Sequence, residues 1–484
     1  MTITPTPFDA AVALLQDGRL VEAEALMVRE VQAVTARHGA GTPAWASVQC
    51  DLGNVLINAD QVPRAIECYR AAVSVSPRDF PEFHKDHLTY VSNLGGALRM
   101  AGRLDEAEAE LRRGAEERAA FYGRDHAGYG FGLEPLAELL LDRGDLAGAR
   151  AVAGEMVANL DAARHPRVVV AMALRAEIVR AQGPAEPAFA GAERLPAELV
   201  EELAGAVLAR SGAGRPLLSE LVALLEARLG PDHRATLATL SRIANLGRDS
   251  GDQTGRIEAI QRVLASHDRQ GQAEAALQVA LGLALAHGDA GDKEAGLRAY
   301  SGAYERATRL GRPELVSQVL RNWGLALQDA DRPADAERAL ADAVRAAETG
   351  ADYELLGRGR IALGLFLQHQ NRLGEARGVI EQGLAVLDPV HPDAMIGRSH
   401  LGAVLEGRTC GCGDMPDTIA RAYREFVLSK VPRGLLADVH VEVTGGDFRV
   451  NVELSREPQQ AELERLNEVM QSAYAEFRRR LVAS

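Results

Sequence analysis

A chain of 484 residues in which 47% are hydrophobic can bury a large interior, and it exceeds what one core ordinarily spans, so several domains or a stacked array are expected. With 68 acidic against 54 basic residues the formal charge is -14, which opposes general attraction to nucleic acid or anionic membrane. Four cysteines are too few for a disulfide framework at this length and suit a reducing compartment.

The N-terminal MTITPTPFDA lacks the basic-then-apolar profile of a secretory leader, and no apolar run reaches the ~18 residues that span a bilayer. A cytoplasmic location with no membrane contact is the expectation. Aromatics make up only 4%, so Leu and Ala do the packing, as suits closely spaced helices.

Internal repetition decides the fold before any local reading does. Residues 8–37 give a first copy, with Leu14, Gly18, Ala23 and Met27 at the large, turn, small and seam positions. The second, LGNVLINADQVPRAIECYRAAVSVSP over 52–77, places Leu52, Gly53, Leu56, Ala65, Tyr69, Ala72 and Pro77 at helical spacing on either side of a turn. A third carries Leu94, Gly95, Leu98, Gly102, Ala107 and Leu111, and a fourth Leu136, Ala137, Leu140, Gly144 and Ala149. Leu14, Leu56, Leu98 and Leu140 follow one another at a single constant interval. Over 165–230 the register weakens: a helix ends near Gln182, a Pro-rich break follows, and helices flank 211–214. Degenerate pairs cover 235–266 and 273–309. Good register returns with Gly324, Leu327, Ala336 and Leu340, continues in Gly364, Leu367, Ala376 and Ile380, and stops after Leu401, Gly402 and Leu405.

Beyond 407 the pattern changes. A helix over 416–430, two alternating runs at 437–443 and 448–454 around Gly445-Gly446, and a last helix over 458–481 read as an α-β-β-α module able to cap an array.

The Leu-Gly pair, the large residue three positions on, and the Ala, aromatic, Ala and Pro that follow resemble a tetratricopeptide repeat. A 42-residue period exceeds the ~34 residues of the ordinary unit and is similar to the longer repeat of kinesin light chains. Tyr122-Gly123-Arg124-Asp125-His126 and Leu229-Gly230-Pro231-Asp232-His233 look like the LGPDH linker of that family, with Asp placed to cap the next helix. The resemblance implies an all-α, right-handed superhelical solenoid followed by the small C-terminal module. The expected division is an N-terminal array over 1–164, an irregular segment over 165–230, a C-terminal array over 231–406 and the cap over 407–484.

The resemblance also implies a non-catalytic scaffold or adaptor that holds a peptide segment or helix of a protein partner in a concave groove. In the kinesin-light-chain-like group an Asn before the Leu-Gly pair contacts peptide backbone. Asn93 and Asn322 occupy that position here, while Asp51 and His400 replace it elsewhere. Asn54 and Asn58 share the face of Asp51, and an amide can donate and accept at once, which suits main-chain recognition. Arg321, Arg358 and Arg360 would add positive charge and favour acidic ligands. The plain alternative for all of these is a solvated polar position on a stacking helix.

Cys410 and Cys412 on a Gly-rich loop form the other singular feature. Two thiolates can hold a soft metal or act as a redox pair, with His391 or His400 as further ligands, but neither has a recognised spacing, and a structural turn is the simpler reading. No cofactor is otherwise expected. Cys50 and Cys68 read as core residues. Gly128-Tyr129-Gly130-Phe131-Gly132 has no preceding strand and is not a phosphate loop, and no hydrolase, zincin or nucleotide-binding string occurs. The scattered histidines fall mostly in linkers, where they would cap helices. Two alternative functions stay open: a thiol- or metal-dependent protein built on Cys410 and Cys412, and a peptide-sensing regulator. Composition leaves the oligomeric state undetermined.

Overall fold

The computed structural model describes residues 6–210, 212–389, 391–409, 436–444 and 447–454. Apart from one hairpin these are helical, with each helix packing chiefly on its neighbours in sequence. The chain divides into two compact units, Met1–Ile243 and Ala244–Ser484, with the division inside helix Arg234–Ser250.

In the first unit the constant interval has a physical basis. Helix pairs Pro7–Gln16 with Leu20–His38, Pro43–Asn58 with Val62–Val73, His84–Met100 with Leu104–Tyr122, and Glu134–Asp142 with Leu146–Ala162 are each joined by the same turn. Its left-handed residue is Gly18, Asp60, Gly102 or Gly144, at φ between 57 and 78°. The N–H just past the turn reaches back to a carbonyl of the first helix, as in Arg19 to Leu14 at 2.8 Å and Gln61 to Leu56 at 2.9 Å. Such a bond satisfies carbonyls that the helix end would otherwise leave open. Just beyond the turn, Ala23, Ala65, Ala107 and Ala149 are fully buried.

The Leu-Gly signature has an equally direct cause. A Cβ on Gly53 would lie 2.6 Å from the Tyr69 ring, and one on Gly95 2.4 Å from Leu111, so the glycine makes room for the seam residue of the second helix. The segment 165–230 folds within this unit as helices Val168–Gln182, Ala197–Leu208 and Arg215–Arg228.

The second unit runs on a different period. Its left-handed turn residues Gly251, Gly271, Gly291, Gly311, Asp331, Ala351 and Asn371 are evenly spaced. A helix pair there spans Gly251 to Gly291, slightly less than the Gly102 to Gly144 of the first unit. Helices Gln253–Arg269, Ala273–Asp289, Lys293–Leu310, Pro313–Asp329, Pro333–Gly350 and Tyr353–His369 are correspondingly uniform. The pairs expected to be degenerate over 235–266 and 273–309 are therefore regular. What disguises them is a change of side chains: Arg256, only 3% exposed, stands where Gly296, Ala336 and Ala376 stand in later pairs, and it packs against Gly247.

Linker histidines cap as expected. Nδ1 of His126 accepts from Gly128 N at 3.0 Å and that of His391 from Asp393 N at 3.0 Å. In the 122–126 linker the cap is thus His126 and not the Asp125 that was expected to fill that role. The glycines of 128–132 serve close packing: a Cβ on Gly132 would meet Arg118, whose buried guanidinium donates to the carbonyls of Gly128 and Leu88.

Strands Leu436–Thr444 and Asp447–Leu454 pair antiparallel, with Val439 opposite Val452 and Val441 opposite Val450. The helices expected over 416–430 and 458–481 lie outside the described residues, as does the Cys410-x-Cys412 loop.

Candidate functional site

Two clusters gather the polar residues singled out from sequence, one in each unit. In the first, helices Pro43–Asn58 and His84–Met100 bring Cys50 and Asp51 near Tyr90, and Cys50 beside Asn93. Asn93 Nδ2 donates to Cys50 Sγ at 3.3 Å, and Asn54 Oδ1 accepts from the Tyr69 hydroxyl at 2.8 Å. Asn58 is exposed and donates to the Asn54 carbonyl at 2.8 Å. These amides therefore have partners within the fold and retain part of their capacity for others.

Asp51 differs. Burial pushes its carboxyl up to about 6, and no hydrogen bond or ion pair holds it among the described residues. Burial likewise pushes the Cys50 thiol up to about 12, the opposite of what a reactive cysteine requires.

In the second unit a cavity of about 400 Å³ opens between helices Ala273–Asp289, Lys293–Leu310 and Pro313–Asp329. Gly288 and Gly296 line it near the turn, and a Cβ on Gly296 would lie 3.3 Å from the Ala284 carbonyl oxygen. Leu285 and Leu297 supply apolar wall, and Asp289, Lys293, Tyr300 and Asn322 supply polar groups. Asn322 Oδ1 is buried with no hydrogen-bond partner. Asp289 is tied to Arg256 at 2.6 Å, and desolvation pushes the Tyr300 hydroxyl up to about 12.

The three arginines expected to line this groove have distinct environments. Arg358 is half-buried, with Nε 2.8 Å from Asp393 and its terminal nitrogen 3.7 Å from Glu354. Arg360 meets Glu348 at 2.9 Å. Arg321 is 5% exposed, so it is not the solvated helix residue that its sequence context suggested.

Neither histidine considered as a metal ligand is idle. His391 caps its helix with Nδ1, and His400 Nδ1 lies 2.8 Å from Gln368 Oε1. Among the described residues no group of three or more His, Cys, Asp or Glu side chains is arranged to hold a metal, and no helix is long and apolar enough to cross a membrane.

Sequence reasoning missed the cavity and the solitary state of Asp51. The cavity's signal was present in the period: Gly296 and Tyr300 fall where Ala336 with Leu340 and Ala376 with Ile380 fall later.

The tetratricopeptide-repeat family model matches residues 90–113 and 132–155. Similar solved structures include a putative kinesin light chain with nearly identical TPR-like repeats from Podosopora anserina, at 16% identity over 55% of this chain and 95% of that one, TM-score 0.28. BtubC (BKLC) from P. vanneervenii is 14% identical over 52% of this chain and 90% of its own, TM-score 0.28. The Rap conjugation gene regulator of the plasmid pLS20, solved in complex with the Phr* peptide, is 17% identical over 56% and 75%, TM-score 0.34. No curated protein matches the sequence.

Proposed function

We propose that the chain, two segments of which match the tetratricopeptide-repeat family model, is a tetratricopeptide-repeat protein of the kinesin-light-chain-like type and a non-catalytic scaffold holding a peptide segment or helix of a partner protein. Asn54, Asn58, Asn93, Arg321, Asn322 and Arg358 form the contact set of this reading. The observation that carries it is the cavity beside Asn322, where an amide oxygen is buried without a partner next to apolar wall. A buried acceptor left unmade costs about 1–3 kcal/mol, and a peptide N–H would recover it. Backbone hydrogen bonds joined to burial of one or two ligand side chains is the energetic pattern of groove recognition.

The same reading places the protein in the cytoplasm and gives the segment 407–484, with its hairpin, the role of capping the end of the array. It assigns Cys410 and Cys412 a structural turn without metal.

Selection of displayed peptides on the full chain tests the proposal. Wild type is expected to enrich a defined set, and Asn93→Ala/Asn322→Ala to lose most of it. Equal enrichment by both proteins would remove these amides from the recognition surface.

A further inference from the structure

Asp51 stands in a column of positions that the repeat itself defines. Asp51, Asn93, Pro135 and Glu177 each precede a buried apolar residue, Leu52, Leu94, Leu136 and Ile178, and they follow one another at one interval. Asn54, Gly96, Glu138 and Arg180 form a second column three residues further along the same helices. Positions three apart are neighbours on a helix surface, so the two columns share one face.

At the far end of the first unit these columns already hold a cation. Arg210, just past helix Ala197–Leu208, donates with Nε to Glu177 and lies with its terminal nitrogen 3.3 Å from Glu138, 72 residues away in sequence. Its guanidinium thus bridges the first column on helix Val168–Gln182 and the second column on helix Glu134–Asp142. Arg99 meets Glu138 as well, at 2.9 Å. A planar guanidinium between carboxylates is a favoured charge-assisted arrangement, so the fold displays the ligand chemistry that carboxylates at these positions accept.

At the near end the corresponding carboxylate has no cation. Among the described residues Asp51 makes no hydrogen bond and no ion pair, although it is half-buried. The groups around it do not balance its charge. Asp86, exposed on helix His84–Met100, adds a second negative charge within reach of the same Cys50 and Tyr90. Burial keeps Cys50, Tyr69 and Tyr90 protonated, and none of them supplies positive charge. A half-buried carboxylate without a counter-charge is costly to the free protein, and a cation brought from outside would offset that cost.

We propose that Asp51 receives a basic side chain of the bound partner, an arginine or a lysine, as Glu177 receives Arg210, so that the first unit selects a basic segment. The inference rests on the groove reading and names the ligand chemistry at one end of it. Asn93, next in the same column, is left to the partner's main chain, while Asp51 fixes the charge that the segment must carry.

Trp45, on the same helix as Asp51, provides a local probe, and in the full chain carrying Trp323→Phe it is the one remaining tryptophan. Its emission is to be followed at pH 7 while titrating acetyl-Arg-Arg-Arg-amide, acetyl-Lys-Lys-Lys-amide and the neutral citrulline tripeptide amide. The expected result is a saturable change with one or both basic peptides, weakened by salt, and none with citrulline. Binding should fall about tenfold in Asp51→Asn, as expected for a hydrogen bond to a charged group, and should persist in Asp51→Glu, which restores the charge. Should Asn at this position disturb the fold, Asp51→Ala is read in the same way. Lowering the pH to 5 should weaken binding in wild type, because Asp51 takes up a proton near pH 6, and should change it less in Asp51→Asn. Equal response to all three peptides, no response to any, unchanged binding in Asp51→Asn, or equal loss in Asp51→Glu would overturn the proposal. The groove reading would survive each of these results as long as display selection still depends on Asn93 and Asn322.

Discussion

The two units build helix pairs from the same turn and space them differently. In the first, the short turn at Gly18, Asp60, Gly102 and Gly144 alternates with longer connections such as 74–83 and 123–126, which lengthens the period. In the second, the same left-handed turn closes every helix from Gly251 to Asn371, and the period shortens. Repeat length is thus set by the connection between pairs, while the seam inside a pair stays fixed. Gly53 faces Tyr69 and Gly95 faces Leu111, as Gly324 faces Leu340 and Gly364 faces Ile380, always at the same sequence offset.

The units also hold opposite charges without a partner, Asp51 half-buried in the first and Arg321 buried in the second. Asp51 in the first can take up a proton and become neutral, whereas Arg321 in the second cannot lose its own near neutral pH. One cost is relieved by acid, and the other is not.

The comparison breaks most severely if the units do not unfold independently. Leu111→Ala and Leu340→Ala each empty a seam opposite a glycine that cannot fill it, and each should cost about 2–5 kcal/mol. Urea unfolding followed through Trp45 in a Trp323→Phe background, and through Trp323 in a Trp45→Phe background, should show each change in its own unit alone. A shift of both transitions by either substitution would mean that the seams share one cooperative core.

A smaller effect of opposite sign is expected at the uniform turns. Ala351 sits at φ 53°, a region costly for a residue with a Cβ, where four other turns of its unit use glycine. Ala351→Gly should stabilise the second unit by about 1 kcal/mol and leave the first unchanged, read as a shift of the Trp323 transition. No gain would show that the turn is already relaxed.

The finest distinction is in pH. Asp51 is raised from its ordinary 3.8 to about 6, so between roughly those values the native state keeps a proton that the unfolded state gives up. Its contribution is therefore most favourable below about 4 and is lost as pH climbs through 6. Asp51→Asn should make the first unit more stable at pH 7 and leave it nearly unchanged at pH 4. Cys50, Tyr69 and Tyr90, which face Asp51, stay protonated throughout, so the window belongs to Asp51. A pH-independent effect of the substitution would assign the gain to packing.

Much of the fold was legible because packing constraints act residue by residue. A glycine opposite Tyr69 and an alanine after each turn recur wherever two helices must touch, and a fixed spacing exposes them. The second unit was harder to read because volume can be exchanged between facing positions. Arg256 replaces an alanine-sized residue and Gly247 replaces the residue that Leu327 and Leu367 represent later, so the pair fits although both signature positions are altered. The site was legible only as residue types: Asn93, Asn322, Arg321 and Arg358 were found, but not which of them already had partners.

The amino-acid order by itself determined where helices begin and end, since turn glycines, capping residues and small-large alternation act over a few positions. Tertiary structure alone decided which polar groups remain unanswered. Whether Arg358 meets Asp393, Asn54 meets Tyr69, or Arg321 meets nothing depends on side chains brought together from separate helices. Burial, which sets the cost of an unpaired charge, is a property of that assembled environment.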